Sequence, residues 1–137
     1  MATRVLIADD HGSFRRALRS ALEHSRNYQI CGEARNGMEA VQLAKQCDPD
    51  LIILDLLMPV LNGFNAAKQI RQILPDTPMV LLTLYENRQV QQEAERCGFT
   101  AVISKTQPGR LLNVLDEALN SLTQYTSSNP SEMVSQF

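Results

Sequence analysis

Two short apolar runs, Val5-Leu6-Ile7-Ala8 and Leu51-Ile52-Ile53-Leu54, each end in carboxylates: Asp9-Asp10 after the first, Asp55 after the second. Runs this continuously apolar read as strands buried on both faces, and such strands belong to parallel sheets covered by helices. Buried strands rarely finish in carboxylates by chance. Three carboxylates converging at one sheet edge repel each other and raise at least one pKa. A hard divalent cation with oxygen ligands removes that conflict, and Mg2+ is the usual one. One of the three carboxylates is then free to serve as a nucleophile.

The rest of the chain alternates helix and strand signals. Phe14, Ala17, Leu18, Ala21 and Leu22 form one helical stripe, with Arg15, Arg16, Arg19 and Glu23 opposite. Tyr28 to Ala34 alternates, as an edge strand does. Asn36-Gly37 reads as a turn, Ala40, Val41, Ala44 and Cys47 as a second helix, and Asp48-Pro49-Asp50 as its end. Met58-Pro59 and Asn62-Gly63 form the loop after Asp55, and Ala66, Ala67, Ile70, Ile73 and Leu74 the inner face of a third helix. A fourth strand runs over 79–82 and a short fifth from Ala101 to Ser104. Between them, Asn87 to Cys97 reads as a very polar helix with only Val90, Ala94 and Cys97 on one side and Gly98 as its cap. Leu111, Val114, Leu115, Ala118, Leu119 and Leu122 mark the last helix. Five strands alternating with five helices imply a doubly wound α/β sheet, whose ligands bind beyond the carboxyl ends of the strands. Residues 1–122 form one domain, and 123–137, rich in Ser and Thr, reads as a mobile tail or linker.

The 137 residues suit one domain with a sizeable core, and 44% apolar with 20% charged content suits a globular chain. A net charge of -2 gives no basic footprint for nucleic acid. No stretch reaches membrane-spanning length and no secretory signal opens the chain, so the expected location is cytoplasmic. The three cysteines, Cys31, Cys47 and Cys97, lack metal or redox spacing and read as reduced thiols packed as small hydrophobes.

Two further strand ends are polar: Thr83 closes the fourth strand and Lys105 the fifth. Singly, each has a bland explanation as a strand residue or a solvated lysine. Jointly with Asp9, Asp10 and Asp55 they offer a metal site, a nucleophile, a hydroxyl donor and a cation, a set suited to phosphoryl transfer. With Val5 to His11, Asp55-Leu56-Leu57-Met58-Pro59-Val60-Leu61-Asn62-Gly63, Leu82-Thr83 and Ser104-Lys105, the chain resembles the receiver domain of bacterial two-component response regulators over roughly residues 3 to 122. The Asp-Asp-His start is similar to the nitrate-regulator (NarL-like) branch.

The resemblance implies a flavodoxin-like fold with strand order 2-1-3-4-5. It implies that Asp55 accepts a phosphoryl group from a sensor histidine kinase or phosphotransfer protein. Asp10, Asp55 and the backbone carbonyl of Leu57 would ligate Mg2+, with Asp9 acting through metal-bound water. Lys105 and Thr83 would each engage a phosphoryl oxygen. The chain would then be a switch acting only on its own Asp55, and no enzyme in the wider sense. Its output would pass through the Asn87 to Cys97 helix and fifth strand, with a homodimer as one phosphorylated form. No membrane partner and no direct nucleic-acid contact are expected. The chain reads equally as a stand-alone receiver or as part of a longer regulator.

Three positions depart from the family pattern. Leu84 replaces a small residue and is expected to narrow access to Asp55. Val102 replaces an aromatic residue, so switching is expected in the backbone more than in a ring. Thr106 replaces a frequent proline. His11 is expected simply to open the first helix, His24 to be solvated, and the arginines of that helix to form a solvated face or a kinase-docking patch. A dehalogenase-like phosphatase would carry its Asp-x-Asp in one strand-end loop, and a flavodoxin-like cofactor binder would need a far less acidic first loop. A phosphorylation-independent interaction module on the same fold is the alternative reading.

Overall fold

In a computed structural model, which describes residues 2–106 and 111–128, β1 (Thr3–Ala8), β2 (Tyr28–Ala34), β3 (Leu51–Asp55), β4 (Met79–Thr83) and β5 (Ala101–Ser104) form one sheet. All neighbours pair parallel, in the order β2-β1-β3-β4-β5. The helices are α1 (Gly12–His24), α2 (Gly37–Cys47), α3 (Gly63–Ile73), α4 (Arg88–Arg96) and α5 (Leu111–Ser128). This is the doubly wound sheet that the strand and helix alternation implies, in the flavodoxin-like order that the family resemblance implies.

Strand periodicity explains why both faces are covered. Leu6, Ala8, Ile52, Leu54, Met79 and Leu81 point to one side, against Ala40, Val41 and Ala44 of α2, Ala66, Ala67 and Ile70 of α3, and Ala94 of α4. Val5, Ile7, Leu51, Ile53, Val80 and Leu82 point to the other, against Leu18 and Leu22 of α1 and Leu111 and Leu115 of α5. Small residues on α2 and α3 let those helices lie close to the sheet and to each other.

Several local expectations are corrected. Asn36 and Asn62 are helix N-caps rather than turn residues. Each side chain accepts a hydrogen bond from a backbone N–H of the first turn, Glu39 and Asn65 respectively, both at 2.9 Å. β2 does not alternate cleanly. Val5 pairs with Ile30 and Leu6 with Gly32, so Cys31 is bulged out and the inward face changes halfway along the strand. Ala17 lies exposed at the margin of the α1 stripe, where its short side chain does not reach the sheet. Gly98 follows α4 at φ 88°, the left-handed conformation that closes helix ends. Helix α5 runs on past the expected boundary at 122 to Ser128; the remainder of the expected tail, 129–137, lies outside the described residues. The side chains of Ala118 and Leu122, expected on the α5 stripe, also lie outside them.

All three cysteines are free. Cys47 Sγ lies 3.1 Å from the Cys31 carbonyl oxygen, and burial pushes the Cys31 thiol up to about 11, with neighbouring Cys47 adding to the shift. Cys97 is raised likewise, by burial and then Glu93. Both remain unreactive thiols at neutral pH.

Candidate functional site

The site lies beyond the carboxyl ends of β1, β3, β4 and β5, next to the β1/β3 switch in strand order. Asp9 is fully buried, and Asp55 and Thr83 nearly so. Asp9, Asp10, His11 and Asp55 each offer a ligand atom, all within 4.8 Å of one another. The structure thus brings together the three carboxylates that the sequence placed at separate strand ends.

Lys105 spans the carboxylates. Its Nζ is 2.7 Å from Asp9 Oδ2 and 3.3 Å from Asp55 Oδ2, with the lysine side chain only 6% exposed. The nearer contact is a buried ion pair, and among the described residues Lys105 is the partner of Asp9 Oδ2. The same Nζ sits 4.4 Å from the centre of the Phe14 ring, which adds a cation–π attraction and limits where the ammonium can go. The sequence showed Phe14 only as a helix-stripe residue.

Asp55 is pushed up to about 6, first by burial and next by the negative charge of Asp9, with Lys105 opposing. One lysine does not offset this much acid. Three carboxylates gathered beside a single lysine, with Asp9 and Asp55 buried, fit a divalent cation such as Mg2+. Leu57, whose carbonyl the sequence reading assigned to that ion, follows in the loop with its side chain exposed.

The loop after Asp55 is closely held. A Cβ on Gly63 would lie 2.5 Å from the Asp55 carbonyl oxygen, so glycine is required for α3 to start this close to Asp55. The Leu61 N–H donates to the Pro59 carbonyl at 2.8 Å around Val60, whose φ is 72°. That is a strained γ-turn on a β-branched residue, and it leaves Val60 in solvent.

Thr83 Oγ1 accepts a hydrogen bond from the Tyr85 N–H at 2.9 Å. A small cavity of about 40 Å3 opens beside it, lined by His11, Asp55, Leu57, Thr83, Leu84, Tyr85 and Lys105. Leu84, an exposed residue, is thus part of the cavity lining, and Val102 is half-buried against the core.

His11 opens α1 as expected, at its N-cap position, though its side chain makes no cap hydrogen bond. Its Nδ1 lies 3.4 Å from Asp9 Oδ1 and 3.3 Å from Asp10 Oδ1, over the carboxylates. The arginines depart from expectation. Arg15 and Arg19 both grip Glu33 of β2, leaving Arg16 as the exposed one. A sequence pattern shows which face of α1 is polar, and not that a glutamate on a neighbouring strand faces it.

Known proteins agree with this geometry. The family model described as response regulator receiver domain matches residues 5–116. The chain is 38% identical over 117 residues to the transcriptional regulatory protein YdfI of Bacillus subtilis, covering 85% of this chain and 54% of YdfI. It therefore spans about half of that relative's length. It is 34% identical over 118 residues to the chemotaxis protein CheY of Thermotoga maritima, covering 85% of this chain and 98% of CheY. The solved signal receiver domain of a Mycobacterium tuberculosis response regulator named NarL superposes with a TM-score of 0.76 at 30% identity, covering 85% of this chain and 96% of that one. The acidic strand-end cluster, the sheet order and these matches lead to one conclusion: the chain belongs to the response regulator receiver domain family.

Proposed function

We propose that this chain switches by taking a phosphoryl group on Asp55 from a phosphohistidine of a sensor kinase or phosphotransfer protein, in a Mg2+-dependent reaction. One observation carries the reading: the Asp55 carboxylate stands beside the Lys105 ammonium within a cluster of strand-end carboxylates, and lines a small cavity.

An Asp55 oxygen attacks phosphorus, the phosphorus–nitrogen bond breaks, and the donor imidazole leaves with its electron pair. Asp10, Asp55 and the Leu57 carbonyl would hold the metal, with Asp9 bound through water. When bound, the ion would supply positive charge at the transferring oxygens. Lys105 neutralises another oxygen while Phe14 and Asp9 hold it in place. Thr83 can keep accepting from Tyr85 or rotate to donate to the new phosphoryl group, whose added charge of roughly -1.5 to -2 favours the second arrangement. Residues 1–122 act as the receiver unit, and its last helix continues to Ser128. The signal leaves through α4 and β5 to an output partner or a second copy of the chain, in the cytoplasm.

Mg2+ with beryllofluoride, a phosphoryl mimic, should raise the melting temperature of wild type through ordinary binding linkage. Asp10→Asn should lose most of that gain. A wild-type melting temperature unmoved across a wide titration would contradict the site and favour a module that works without phosphorylation.

A further inference from the structure

Resting on the reading of Asp9, Asp10 and Asp55 as the Mg2+ site, we infer that Arg15 is a positioning residue for that site, and that Glu33 holds Arg15 in place for the task. Asp9 is held by its backbone on both sides. Its N–H donates to the Ala34 carbonyl of β2 at 3.0 Å, and its carbonyl accepts from an Arg15 guanidinium nitrogen at 2.7 Å. The Arg15 side chain is 12% exposed, and its Nε lies 3.2 Å from Glu33 Oε1. Arg19 takes the other Glu33 oxygen at 2.7 Å. Glu33 pairs in register with Ile7 and Ala34 with Ala8, so β2 reaches the turn carrying the carboxylates directly.

This placement answers a problem that the site creates. A guanidinium this near a cluster of carboxylates would satisfy itself on them and compete with Mg2+, since arginine binds carboxylates in a bidentate fork. Glu33 offers it a carboxylate on the far side. Arg15 Nη1 then donates to the Asp9 carbonyl, which fixes the turn and leaves the carboxylate oxygens for the ion. Groups that orient a ligand's backbone or ring contribute to metal affinity almost as ligands do.

Charge alone and positioning predict opposite signs. Removing a cation near a divalent-ion site should tighten Mg2+ binding if only charge matters. If Arg15 positions Asp9 and Asp10, Arg15→Met should weaken Mg2+ binding about tenfold, read by calorimetry on the metal alone. Glu33→Gln should also weaken it, by releasing Arg15 onto the carboxylates. The double variant should bind no worse than Arg15→Met, because Glu33 acts through Arg15. Melting in EDTA and circular dichroism establish that each variant is folded. Mg2+ affinity unchanged within about twofold in both folded single variants, or tighter binding by Arg15→Met, overturns the inference. So do losses that simply add in the double variant. If Arg15→Met does not fold, Glu33→Gln decides, since glutamine keeps the shape and an acceptor. Wild type that takes up no Mg2+ at tens of millimolar removes the metal reading and the brace together; wild type that binds while the folded variants bind equally well removes the brace alone.

Discussion

Asp55 concentrates the conflict on which the site depends. Burial and Asp9 hold its proton up to about pH 6, against an ordinary value of 3.8. Between those two values the folded state binds more protons than the unfolded state, so this group's contribution to stability falls as pH rises. Above about pH 6 the metal-free protein carries the whole cost, on the order of 3 kcal/mol. Asn in place of Asp55 imitates the protonated acid. Without Mg2+, Asp55→Asn should therefore stabilise the protein more at pH 7.5 than at pH 4, as measured by urea unfolding at both values. An equal effect at both would show that Asp55 is not raised. At this scale the sequence revealed the residues that end strands, because parallel strands must bring their carboxyl ends to one edge. Asp9, Asp10, Asp55, Thr83 and Lys105 were legible for that reason. Phe14, Arg15 and His11 were not. Their roles arise from the angle at which α1 crosses the sheet, and periodicity does not encode that angle.

Helix α4 is only lightly tied to the core. Ala94 is its one buried helical residue, with Val90 half-buried and Cys97 buried at its C-cap. Its two ends are held differently. At the C-terminal end, Arg71 donates to the Leu74, Pro75 and Thr77 carbonyls and to the Gly98 carbonyl, clamping the turn after α4 to the turn after α3. At the N-terminal end, 84–89 is exposed and Asn87 supplies only its cap to the Val90 N–H. Local opening should begin there. Beryllofluoride with Mg2+ should change hydrogen exchange most over 84–91 and least near Gly98. Leu84→Ala should speed both labelling and loss of the phosphoryl group by clearing the entrance. Unchanged protection over 84–105 would place the switch elsewhere, and unchanged rates in Leu84→Ala would remove the gating role. Element identity was readable from apolar spacing throughout. The ends were less so: Asn36 and Asn62 look like turn residues, and only the structure shows each capping a helix. The change of face within β2 needed knowledge of its bulge.

Across the whole molecule, one architecture produces both the stability and the site. Two apolar layers bury the sheet on both faces, and their continuity stops where β1 and β3 end in acid. The edge strand β2 is more than cover. Its Glu33 and Ala34 reach Arg15 and the Asp9 backbone, and Tyr28 at its other end hydrogen-bonds Asp116 of α5. Sheet order was legible only through the family resemblance, since alternation alone allows several orders. Among the described residues no helix is long and apolar enough to cross a membrane. The central claim is that Asp55, with the metal held beside it, receives the phosphoryl group. Incubation with acetyl phosphate and Mg2+, followed by intact mass and peptide mapping, tests it most directly. Wild type should gain one phosphoryl mass on the peptide containing Asp55, the gain should vanish with EDTA, and Asp55→Ala should show none. A full gain in Asp55→Ala, or a modified peptide that excludes Asp55, would contradict the account.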